Sequence, residues 1–168
     1  MAGFEPPALP RSLLSMTPGA LAVLERRLAH HFLDRDRLIR ALTHASYAAE
    51  HPPAEHQLAL AFLGDAVLAL VVAEHLVHVE PDAGVGRLTA RRAVLVADET
   101  LAQWAAAFEL GPLLRLGRGA EQGGGRETVS ILATTMEAVF GALYEEAGLV
   151  GVRRVVGGLA GWSCEGEG

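Results

Sequence analysis

The 168-residue sequence predicts an all-α fold, a helical bundle forming one domain, on three observations. Apolar residues recur at helical spacing in segment after segment. No stretch of any length alternates apolar and polar residues as a half-buried strand does. The breaks between segments fall at Pro and Gly positions that end helices. A hydrophobic content of 51% is enough for a real core, and no internal repeat divides the chain.

Residues 1–18, MAGFEPPALPRSLLSMTP, hold four of the eight prolines and keep no sustained period, so they are expected to form an extension in which Leu13 and Leu14 dock on the core. The domain is expected to run over residues 19–160, with a Gly-rich tail at 161–168. From about Pro18 to His31 the spacing of Leu21, Leu24 and Leu28 is helical. A second short helix runs from Asp34 to Ala45 with Asp34 as its N-cap. The segment HASYAAEHPPAEHQ then breaks at Pro52 and Pro53.

After that break comes the stretch that dominates the sequence, QLALAFLGDAVLALVVAE from Gln57 to Glu74, an almost unbroken apolar helix with one carboxylate, Asp65, in its middle. A carboxylate buried without a partner is costly, so Asp65 is expected to meet a cation, hydrogen-bond donors or a proton. On the same face, one and two turns earlier, stand Ala61 and Leu58, neither able to bind a metal. The apolar run is shorter than a membrane span needs and internally charged, so it reads as a core helix with no membrane role.

A Pro-Asp-Ala-Gly turn at 81–84 leads to two helices, Val85 to Val96 and Asp98 to Phe108. The second is expected to be capped by Asp98 or Thr100 and stopped by Gly111 and Pro112. Residues 115–127, RLGRGAEQGGGRE, read as an irregular Gly-rich loop carrying Arg115, Arg118 and Arg126, either a plain surface loop or one that contacts phosphate. Thr128 or Ser130 caps a long helix whose apolar residues surround a second lone acid, Glu137. A last helix runs from Val150 to Leu159.

Composition narrows the function classes. The net charge is −6 and all 14 basic residues are Arg, so any polyanion contact must come from clustered arginines rather than from overall charge. One cysteine, Cys164, excludes an intramolecular disulfide, and no signal peptide precedes the first helix, which makes the cytoplasm the expected compartment. The seven histidines lack the tight ligand spacing of a zinc site, and no nucleotide-binding Gly-rich loop or nucleophile elbow is present. Asp65 and Glu137 admit two readings: separate hydrogen-bonded core acids, or a shared divalent-metal site for phosphate chemistry.

The order THASYAAEHPPAEHQ, then FLGDAVL, then LGRGAEQGGGRETVSILATTMEAVFGALYEEAG resembles the catalytic domain of ribonuclease III from about Leu21 to Leu159. The family signature is Asn-Glu-Arg-Leu-Glu-Phe-Leu-Gly-Asp. Laid on Phe62, Leu63, Gly64 and Asp65, it puts Gln57 on the Asn, Leu58 and Ala61 on the two glutamates, and Ala59 on the Arg. The second motif, Ile-Leu-Ala-Asp-Thr-Phe-Glu-Ala, falls on Ile131 to Ala138, so Thr134 stands where an aspartate is expected and Glu137 keeps the glutamate.

The resemblance implies an all-helical dimer whose valley holds double-stranded RNA, with magnesium activating water and leaving a 5′ phosphate. It implies Asp65 and Glu137 as retained catalytic metal ligands, and Leu58, Ala61 and Thr134 as vacated positions. Phe62 is implied as the dimer-interface residue. It also implies a short, single-domain member, since no double-stranded-RNA-binding domain follows. Ala61 and Thr134 stand at two of the four expected metal carboxylates, and their loss removes both ligands and counter-charge, so weak or absent magnesium binding is expected.

Two readings result. One is a non-catalytic module that holds structured RNA through Arg87, Arg91, Arg92, Arg118 and Arg126, as a homodimer or as a heterodimer with an active paralogue. The other is an active magnesium-dependent, double-strand-specific endoribonuclease in which RNA phosphates or a repositioned acid such as Glu55 complete the site.

Overall fold

The computed structural model describes residues 17–162. The expected docking of Leu13 and Leu14, and nearly all of the extension and tail, lie outside the described residues. Nine helices occur within them: α1 Pro18–Arg27, α2 Arg35–Ala41, α3 Ala45–Glu50, α4 Leu58–Val79, α5 Val85–Leu95, α6 Asp98–Ala107, α7 Leu110–Leu113, α8 Arg118–Gln122 and α9 Val129–Ala160. The only β pairing among the described residues is an isolated parallel bridge between Thr43 and Arg115. The all-α class holds.

Local chemistry accounts for the first two helices. Thr17 caps α1 by accepting from the Ala20 amide at 3.2 Å, with Pro18 at the first helical position. Asp34 caps α2 through the Asp36 amide at 3.1 Å, as its position predicts. Helix α3 was not expected. It buries no side chain, so no apolar period announces it, and its N-cap is the imidazole of His44, which accepts from the Ser46 amide at 3.2 Å.

Helix α4 continues past Glu74 to Val79, ending just ahead of Pro81. By length and composition it is long and apolar enough to cross a membrane, contrary to the sequence expectation; in this fold it is the central helix of the domain, with 44% of its most apolar stretch buried. It packs against α9, which α6 and α2 also contact. Leu68, Val72, Leu76, Met136, Val139 and Phe140 are fully or almost fully buried there, and Trp104 of α6 meets Phe140 edge-on at 6.2 Å.

Three termini differ from expectation. Helix α6 starts after Ala97 with no side-chain cap: Asp98 is its first residue, and the Thr100 hydroxyl donates instead to Val94 O at 2.8 Å. It ends where Glu109 enters the left-handed region (φ 55°), while Gly111 and Pro112, the expected stop, lie inside the single turn α7. Thr128 precedes α9 without capping it through its hydroxyl, which donates to Gly124 O at 3.2 Å.

The Gly-rich segment is not irregular. It forms α8 and a 3-10 turn at Gly125–Glu127, and it is tied down by Arg126. That guanidinium donates from Nη1 to Gly111 O, Pro112 O and Leu114 O at 2.8, 3.1 and 3.0 Å, while Nε and Nη2 grip Glu121 at 2.7 Å each. The expected break between the last two helices is present as a kink inside α9 at Gly148, whose φ of 61° favours glycine.

Candidate functional site

The site is built by two glycines. A Cβ placed on Gly64 would lie 1.8 Å from Glu137 O, and one on Gly141 would lie 2.1 Å from Leu60 O. Helices α4 and α9 therefore touch backbone to backbone at this crossing, closer than any residue with a side chain allows. Asp65 is the residue after Gly64, and Glu137 supplies the carbonyl that Gly64 abuts, so the two acids come to the same point of the fold from separate helices.

Their environments differ from the sequence expectation. Asp65 is exposed rather than buried among the described residues. Glu137 is half-buried, and its carboxyl is pushed up from 4.5 to about 7, first by burial and then by the negative charges of Asp65 and Asp98. Asp98 is a third acid that sequence reasoning read only as a helix cap. Its place at the start of α6 signals a cap, and only the docking of α6 against α9 turns its charge toward Glu137.

Of the three positions that the resemblance reads as vacated, two are at the same crossing. Ala61 is 5% exposed, one turn before Asp65, and Thr134 is half-buried, three residues before Glu137; Leu58 lies outward at 49% exposure. Among the described residues, no three His, Cys, Asp or Glu side chains converge closely enough to hold a metal ion. The donor set does not fit a pair of magnesium ions, which needs several converging carboxylates. Glu55 does not repair it, since it is exposed and paired with Arg40 at 3.1 Å.

The five arginines singled out from the sequence separate into two groups. Arg87 and Arg91 both pair with Glu80, and Arg126 is the clasp described above. Arg92 and Arg118 are exposed, and among the described residues their guanidinium groups have no partner. Phe62 is 82% exposed on the outward face of α4, in line with Leu58, Ala66 and Leu70.

The profile of the family described as Ribonuclease-III-like matches residues 34–159. Ribonuclease 3 of Caulobacter vibrioides is 46% identical over 136 residues, covering 81% of this chain and 59% of the relative. Ribonuclease 3 of Heliobacterium modesticaldum is 43% identical over 150 residues, covering 88% of this chain and 64% of the relative. The chain thus spans about three fifths of the length of these curated relatives. A solved nuclease domain of ribonuclease III from Campylobacter jejuni, described for structural flexibility in a region involved in dimer formation, superposes with a TM-score of 0.76 at 38% identity over 81% of this chain and 92% of that one.

Proposed function

Because the chain belongs to the Ribonuclease-III-like family, we propose that it is a dimeric module for structured or double-stranded RNA whose own nuclease site is weakened or inactive. One observation carries the reading. The backbone crossing that brings Asp65 beside Glu137 is intact, yet the positions flanking them hold Ala61 and Thr134, and Glu137 is drawn toward its protonated form near neutral pH. A site built to attract dications lacks much of the charge that attracts them.

Dimerisation is part of this reading, as a homodimer or with an active paralogue. Its support is the apolar stripe of Leu58, Phe62 and Leu70 on α4, left exposed among the described residues. RNA phosphates would meet Arg92 and Arg118, whose guanidinium groups are not committed elsewhere within the described residues.

A second reading, an active magnesium-dependent endoribonuclease leaving 5′ phosphates, is favoured by the third acid, Asp98, in the field of Glu137. Incubation with long duplex RNA in magnesium and in manganese separates the two. Little or no cleavage is expected from the unaltered chain, and robust cleavage lost on Asp65→Ala or Glu137→Ala would establish the second reading. Ala61→Glu with Thr134→Asp is expected to restore measurable cleavage. In magnesium-free buffer the double variant should lose about 2 kcal/mol or more, because position 61 is buried, and regain it with magnesium.

A further inference from the structure

Helix α3 buries none of its side chains, yet it is held firmly against the start of α8. The Gly117 amide donates to Ser46 Oγ and the Arg118 amide to Glu50 Oε1, each at 2.9 Å, and a Cβ on Gly117 would lie 2.6 Å from Ser46 O. This clamp supports a column of planar groups. The Arg115 guanidinium carbon lies 4.1 Å from the centroid of the Tyr47 ring, with Nη2 donating to Tyr47 Oη at 2.7 Å. Tyr47 stacks in turn on His51, with centroids 4.0 Å apart and planes within 11°.

Two groups that close to one ring cannot share a face, so Tyr47 is sandwiched and His51 is the outer layer. A hydrogen bond between His51 Nδ1 and Tyr47 O at 3.0 Å holds the imidazole flat. His51 is exposed, and Tyr47 is the only ring that stacks on it among the described residues. The column therefore presents a fixed aromatic face to solvent, with the unpaired guanidinium of Arg118 on the neighbouring helix.

We propose that this face is a stacking platform for a single nucleobase of structured RNA, which deepens the RNA reading above and rests on it. Bases inside a duplex are already stacked on both sides. The ligand is thus a base with one open face, from a bulge or from the end of a duplex, while Arg118 meets a flanking phosphate. Arg115 beneath Tyr47 adds positive charge under the column and favours electron-rich base faces.

The test uses the full chain and three RNAs of equal length: a blunt duplex, the same duplex with one bulged 2-aminopurine, and a blunt duplex with 2-aminopurine in its terminal pair. The expected result is quenching of one labelled RNA: the bulged RNA, then binding on the order of tenfold tighter than the blunt duplex, if the base comes from a bulge, or the end-labelled duplex, at the affinity of the unlabelled one, if it comes from a duplex end. His51→Ala should abolish the quenching, and with it any preference for the bulged RNA, while leaving thermal stability unchanged, and His51→Phe should keep the quenching. Binding without quenching of either labelled RNA, or quenching that persists in His51→Ala, would overturn the platform while leaving the RNA reading in place. Failure of the unaltered chain to bind any of the three would overturn the RNA reading and the platform together.

Discussion

At the scale of single residues, Glu137 sets a pH dependence whose sign follows from its environment. Its carboxyl titrates near 7 in the folded chain against about 4.5 when unfolded, so between those values the folded protein holds a proton that the unfolded one has released. Stability contributed at this position should fall as pH rises from about 4.5 to about 7 and level off above it. Chemical denaturation of Glu137→Gln at several pH values should show that decline removed; an unchanged pH profile would place the proton elsewhere. Arg126 and Arg118 make a second pair of residue-scale predictions. Arg126→Ala leaves three carbonyl groups without their shared donor and should cost about 2 kcal/mol or more in a urea melt. Arg118→Ala should leave the melt within about 0.5 kcal/mol and weaken RNA binding instead.

At the scale of elements, the crossing of α4 and α9 decides both the core and the site. Gly64→Ala or Gly141→Ala would force a methyl group into a carbonyl on the facing helix, and neither backbone has room to shift without moving the other. Each should destabilise the fold by about 3 kcal/mol and part the two acids. Loss of stability is read from denaturation, and separation of the acids from a fall in the Glu137 titration toward the ordinary carboxylate range. Gly64→Ala with native stability would mean that the helices pack less closely than the backbone distances state.

For the whole molecule, a chain of net charge −6 with few free arginines sets the character of any nucleic-acid contact. If Arg92 and Arg118 alone meet phosphates, the logarithm of affinity should fall with the logarithm of salt at a slope of about −2 per chain. A slope near zero would point to contacts other than phosphate. The outward stripe of α4 makes the parallel prediction about assembly. Phe62→Asp should shift the protein toward monomer in sedimentation at micromolar concentration, and a clean monomer before the substitution would remove the dimer from the proposed function.

What the sequence determined by itself was the helical class, the order of the long helices, the break at Gly148 and the two acids, because apolar periodicity, Pro and Gly positions and lone charges in apolar runs are local signals. The motif around Phe62 to Asp65 and the one around Glu137 also located the positions where Ala61 and Thr134 stand. Helix α3 was not legible, since a helix without a buried face carries no period. Nor was the role of Arg126, whose three acceptors are carbonyls that no side-chain pattern marks. Only the tertiary structure placed Asp65 in solvent rather than core, because an all-round apolar helix does not declare which face its neighbours leave uncovered. Only the packing of α6 against α9 brought Asp98 into the field of Glu137, a long-range electrostatic effect that depends on where separate helices dock.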